Sequence, residues 1–170
     1  MKEFRIYRPN RQNSGAASKL QCAVKKRTKG ESSFEDVMLF WEMAPQIGTD
    51  KDGNAQFDWS KPKGSEATKS ITMKLGLPDV GELLLVLTGR KEYVGPPKKS
   101  GQNTGPGMFH ENATGNAVLK FSQFNDGFYV GMSSKRGEEQ LKHGHSISAA
   151  EAVILEQLLR DFVSRYHEWR

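Results

Sequence analysis

The stretch KSITMKLGLPDVGELLLVLTG, residues 69–89, changes its apolar period half-way, and the fold follows from that change. In its first part Ile71, Met73 and Leu75 alternate with Ser70, Thr72 and Lys74, the period of a half-buried strand. From there Val80, Leu83, Leu84 and Leu87 recur at helical spacing, with Pro78 in the first turn and Gly89 just past the end. A strand therefore runs straight into a helix.

Upstream, the chain reads as strands. In residues 19–28 Leu20, Cys22 and Val24 share one face, while Lys19, Gln21, Lys25 and Arg27 share the other. Residues 37–44 (VMLFWEMA) are apolar on both faces, so that strand has protein on both sides or a ligand on one. Asp52-Gly53 is a hairpin-turn dipeptide that returns the chain into residues 54–59. Downstream, residues 95–107 (GPPKKSGQNTGPG) form a Pro/Gly-rich loop, and the plan then repeats. Strands over 117–124 and 128–133 flank the turn Asn125-Asp126-Gly127, a further strand covers 141–147, and only 108–111 is available for the first strand of this set. The box Ser148-x-x-Glu151 opens a helix with the apolar stripe Leu155, Leu158, Leu159, Phe162 and Tyr166. The predicted class is α+β: two tandem β-β-β-β-α repeats forming antiparallel sheets packed on helices. One domain spans residues 1–170, with repeats over 1–94 and 108–170 around the 95–107 loop.

Composition narrows the function. The 170 residues carry 25 Lys and Arg against 20 Asp and Glu, a net charge of +5, which favours a polyanionic partner. A mean hydropathy of −0.66 is wet for a globular chain, but nine Phe, four Tyr and three Trp argue for a folded core. A lone cysteine, Cys22, excludes an internal disulfide and a multi-thiolate zinc site. The longest apolar run, residues 83–87, is far too short to span a bilayer, and MKEFRIYRPNR has no apolar signal core. The expected setting is cytoplasmic or nucleoid-associated, with no secretory or organellar targeting segment.

Five segments, in order, resemble the Whirly family of single-stranded-DNA-binding proteins, whose fold is shared with mitochondrial guide-RNA-binding proteins. Residues 37–48 (VMLFWEMAPQIG) are similar to the family's apolar strand and Phe-Ala-Pro-type corner, and Phe57-Asp58-Trp59 to its Tyr-Asp-Trp signature. Residues 75–83 (LGLPDVGEL) follow its helix-opening pattern, Phe109-His110-Glu111 its Phe-His-Asp, and residues 126–133 (DGFYVGMS) its Gly-Tyr-Phe-x-x-Leu-Ser strand. The family's Lys-Gly-Lys-Ala-Ala-Leu-Ser run has only a loose counterpart here, GAASKL at 15–20. The resemblance implies tandem sheets, cyclic homotetramers joined through the helices, single-stranded DNA running between neighbouring protomers, and binding without reaction.

Sequence-tolerant single-strand binding needs cations along the phosphates and flat faces for splayed bases. The candidate cations are Lys19, Lys25, Lys26, Arg27, Lys61, Lys63, Lys120, Lys135 and Arg136; the candidate rings are Phe40, Trp59 and Tyr129. Tyr129 is the best stacking candidate, because Phe128, Val130 and Met132 of opposite parity form the natural core face. His143 and His145 share a strand face without a third ligand, which points away from zinc. Asp58 suits a corner hydrogen bond, with no nucleophile or second carboxylate beside it. No cofactor, metal or catalytic residue is expected. The residues leave three classes open: single-stranded-DNA binding, an RNA-binding or RNA-annealing chaperone on the same scaffold, and a protein-interaction module.

Overall fold

The computed structural model describes residues 2–29, 32–60, 68–97, 107–112 and 115–168. β1 (Lys2–Arg8) pairs antiparallel with β2 (Ala16–Lys29), and β2 with β3 (Ser32–Thr49). The 18-residue β3 also pairs with β4 (Ala55–Phe57) through its last residues and with β5 (Ile71–Leu75) through its middle. Helix α1 (Leu77–Leu87) follows β5 at once. The second sheet runs β6 (Met108–Asn112), β7 (Gly115–Phe124), β8 (Gly127–Arg136), β9 (Glu139–Ile147), every neighbour antiparallel, and α2 (Ala149–Glu168) ends the described chain.

This is the α+β plan of two strands-then-helix units, with two departures. The first unit has five strands, because FRIYR near the N-terminus alternates Phe4 and Ile6 inward with Arg5 and Tyr7 outward. The return strand expected over 54–59 stops at Phe57: Asp58 donates its N–H to the Pro45 carbonyl (3.0 Å), and the chain turns away. Of the 95–107 loop, residues 98–106 lie outside the described residues.

The two sheets share one core. Ile6, Leu20, Leu39, Trp41, Met43, Ile71, Met73 and Leu75 from the first pack with Leu119, Phe121, Val130, Met132 and Ile147 from the second and with Val80, Leu83, Leu155 and Leu159 of the helices. Trp41 meets Phe121 edge to face at 6.1 Å. Burying such a ring contributes enough that truncation to Ala costs about 3–5 kcal/mol.

Crossed polar clamps tie the units together. Asp79, in the first turn of α1, caps the Gly76 N–H (2.7 Å) and pairs with His110 of β6 (3.1 Å). Glu151, in the first turn of α2, caps the Ser148 N–H (2.8 Å) and pairs with Arg8 of β1. Each helix N-terminus, which favours negative charge, thus presents its acid to a base from the first strand of the other unit. Arg136 adds bonds to the Thr68 and Ser70 carbonyls (3.1 and 2.7 Å), and the His143 Nε2 one to the Lys69 carbonyl (2.6 Å). The β1–β2 loop is pinned by buried Gln46, whose side chain accepts from the Asn10 N–H and donates to Asn13. Gly15 has no room for a side chain there, since a Cβ would stand 2.3 Å from the Arg8 carbonyl oxygen. No helix among the described residues is long and apolar enough to cross a membrane.

Burial raises the pKa of Glu151, but the Arg8 guanidinium and the Ser148 donors outweigh it and hold the carboxyl below 4.5. Its contribution is therefore complete above that value and lost as pH falls through the lower folded value. Glu151→Ala is expected to cost about 1–2 kcal/mol at pH 7. In urea titrations the gap to wild type should close as pH falls through the lowered carboxyl value; a gap that stays constant into acid contradicts the clamp.

Candidate nucleic-acid interface

Packing the helices and the partner sheet on one face leaves each sheet an outer face, and alternation decides what stands on it. On the first sheet, pairing aligns Arg5, Lys19, Glu42 and Thr72 in one row and Glu3, Gln21, Phe40 and Lys74 in the next. Trp59 leaves the corner after β4 and completes this surface with Tyr7 and Phe57. The three ring centroids are 5.5–6.4 Å apart. The corner is held by Asp58, which accepts the Lys69 N–H (2.7 Å), and by Glu42, which accepts the Ser60 N–H (2.6 Å).

Glu42 organises the row. Its side chain is 3% exposed and pairs with the Lys19 ammonium at 2.7 Å. Burial pushes its pKa up, yet Lys19 and Ser60 together hold it below the ordinary carboxylate value. The same ammonium lies 5.1 Å from the Trp59 ring centroid, and the Arg5 guanidinium 5.7 Å from it. Arg5 also donates to the Tyr7 hydroxyl (3.2 Å), which raises its pKa further and keeps it charged. The result is a half-buried indole beside two neighbouring cations, each balanced by an acid: Lys19 by buried Glu42, and Arg5 by Glu3 at 2.5 Å.

The outer face of the second sheet carries exposed Lys120, Lys135 and Lys142 with Phe109, Phe124 and Tyr129. Phe109 is 60% exposed and Phe124 stands edge-on to Tyr129 at 6.5 Å. Tyr129 points away from Phe128, Val130 and Met132, as its parity requires.

The sequence-derived candidates are distributed as follows. Lys19, Phe40 and Trp59 gather on the first outer face; Lys120, Tyr129 and Lys135 gather on the second. Lys25 and Lys26 are exposed near the β2–β3 hairpin but point to opposite faces. Arg136 is committed to the Thr68 and Ser70 carbonyls. The Arg27 side chain and both Lys61 and Lys63 lie outside the described residues. Sequence reasoning missed Arg5 and Tyr7, whose alternation in FRIYR was the available signal, and Glu42, whose burial nothing in the sequence marks. His145 turns into the core, where burial lowers its pKa.

No family model matches the chain, and no curated protein sequence does. Solved structures do. WHY3 from Arabidopsis thaliana aligns with a TM-score of 0.59 at 16% identity, over 94% of this chain and 85% of that one. The plant transcriptional regulator PBF-2 gives 0.60 at 15% identity over 99% and 93%, and Trypanosoma brucei MRP1/MRP2 gives 0.59 at 13% identity over 97% and 85%. The fold is Whirly-like.

Removing Glu42 tests the first face. Glu42→Ala strands a nearly buried Lys19 and frees the Ser60 N–H, with an expected loss on the order of 3 kcal/mol in chemical denaturation. Glu42→Gln keeps an acceptor for Ser60 and should lose clearly less. Equal losses would show that the ammonium pair contributes nothing.

Proposed function

We propose that this protein binds single-stranded DNA, with little regard to sequence and without reacting on it. The observation that carries the reading is the Trp59 cluster, an indole held by Tyr7 and Phe57 beside Arg5 and Lys19 on the outer face of the first sheet. Bases released from pairing can stack on such rings, while a duplex has its bases already stacked. The chain's net charge of +5 supplies the phosphate attraction. RNA offers the same faces and phosphates, so an RNA-binding or RNA-annealing role is the second reading, favoured by nothing on these two faces over DNA. Repair, recombination, replication or transcription in the cytoplasm or nucleoid would use such binding, and the two repeats would act as one domain.

Mobility shifts on single-stranded DNA, duplex DNA and RNA of equal length, at two salt concentrations, test this. Strong binding to the single strand and weak binding to the blunt duplex are expected; equal affinity for both contradicts stacking, and a preference for the RNA strand favours the second reading. Lys25→Ala with Arg27→Ala should lower the slope of log affinity against log salt by about 1.4 if both neutralise phosphates.

Assembly follows from the helices. Leu85 of α1 and Val153 and Ile154 of α2 are exposed apolar residues. A closed homo-oligomer would cover them, and a tetramer is proposed. Light scattering at micromolar concentration should report four chains; a monomer mass rejects it.

A further inference from the structure

Gly131 and Gly144 face each other across β8 and β9, and the space above them is taken by one side chain. A Cβ on Gly144 would stand 2.1 Å from the Tyr129 hydroxyl oxygen and 2.7 Å from Cζ; one on Gly131 would stand 3.0 Å from Cε1. Neither glycine adopts the left-handed conformation that would demand the residue for backbone reasons. What they share is a missing side chain on the same outer face, in the row beside Tyr129. The ring therefore lies down along the sheet, its hydroxyl end at the depth where a Cβ would be. A tyrosine standing up from a sheet presents an edge; one lying in a recess presents a face.

We infer that the Gly131–Gly144 recess positions Tyr129 as a stacking platform for one unpaired base, making these glycines positioning residues of the second outer face. The inference rests on the proposed single-strand binding and adds where one base sits and what sets its orientation. The surroundings fit a polyanion carrying flat groups. Lys120 is the cross-strand partner of Gly131, and exposed Lys135 and Lys142 stand on the same face, with Glu111 at its edge. Phe124 stands edge-on beside the ring, its centroid 6.5 Å away. A π-face without hydrogen-bonding edges accepts any base, so this position contributes affinity without sequence preference.

The test compares a thymine oligonucleotide with an abasic strand of equal length and charge, by fluorescence anisotropy. Wild type should prefer the base-bearing strand. Tyr129→Ala should cut that preference by roughly tenfold, the scale of one stacked base. Gly144→Ala should remove most of the same preference, and Gly131→Ala less, in the order of their contacts, while the salt slope of all three stays at the wild-type value. Thermal melts accompany each variant. Photo-crosslinking of wild type to a 5-iodouracil strand, read by mass spectrometry, locates the base at Tyr129 without any substitution. Gly144→Ala with wild-type preference overturns the recess as a positioning element; Tyr129→Ala with wild-type preference, or a crosslink map that omits Tyr129, overturns the platform. Wild type that binds neither strand rejects the underlying function itself.

Discussion

The edge-to-face contact of Trp41 with Phe121 joins the two sheets, and it decides the direction of the side chains around it. Strand alternation has a period of two, so a slip of one residue would exchange the faces. With Trp41 inward, Phe40 and Glu42 must point outward, and pairing carries this across to Lys19 and Arg5. With Phe121 inward, Lys120 points out, and register with β8 sends Tyr129 the same way. The chemistry of both outer faces is thus a consequence of how the core is packed. A long strand apolar on both faces, as 37–44 is, can be tolerated only because one face is core and the other is a surface of rings and paired charges.

Repetition of the strands-then-helix unit explains the crossed clamps. A basic residue of each unit's first strand lies at the other unit's helix N-terminus, where an acid at the third helical position is already engaged in capping. A base on the strand, Arg8 or His110, completes the site, and its preceding residue, Tyr7 or Phe109, necessarily points to the outer face. An aromatic-basic dipeptide on an edge strand therefore does two jobs in each unit: the base locks the units together and the ring remains outside.

Much of this was legible in the sequence. The change of period across residues 69–89 and the capping box at Ser148 marked both helices, since these signals are local. The parity of Tyr129 was readable from its apolar neighbours. β1 was not read, because its apolar side is only Phe4 and Ile6 among charged residues, and the strand exists by pairing with β2. Glu42 was not singled out; its burial comes with Lys19 across the sheet and Ser60 beyond the corner, contacts distant in sequence. The pairing of Gly131 with Gly144 likewise exists only in the register of β8 and β9. Arg136 read as a phosphate ligand because a sequence cannot show that two carbonyls already occupy a guanidinium.

The two outer faces consequently differ in kind. On the first, Glu42 balances Lys19 from a position closed to water, so that ammonium serves the indole and its net charge toward a phosphate is small. A buried pair of this sort gives little net stability but fixes geometry, and here the geometry fixed is that of Trp59. On the second face the lysines are exposed, and the ring is held by an absence of side chains beneath it. In the proposed binding, attraction and stacking would be supplied by different means on each: paired charge beside a clustered indole, and exposed charge around a recessed tyrosine. Salt screens exposed charges far more than closed pairs, so in the proposed binding the salt-sensitive part would fall mainly to the second sheet and to the β2–β3 hairpin.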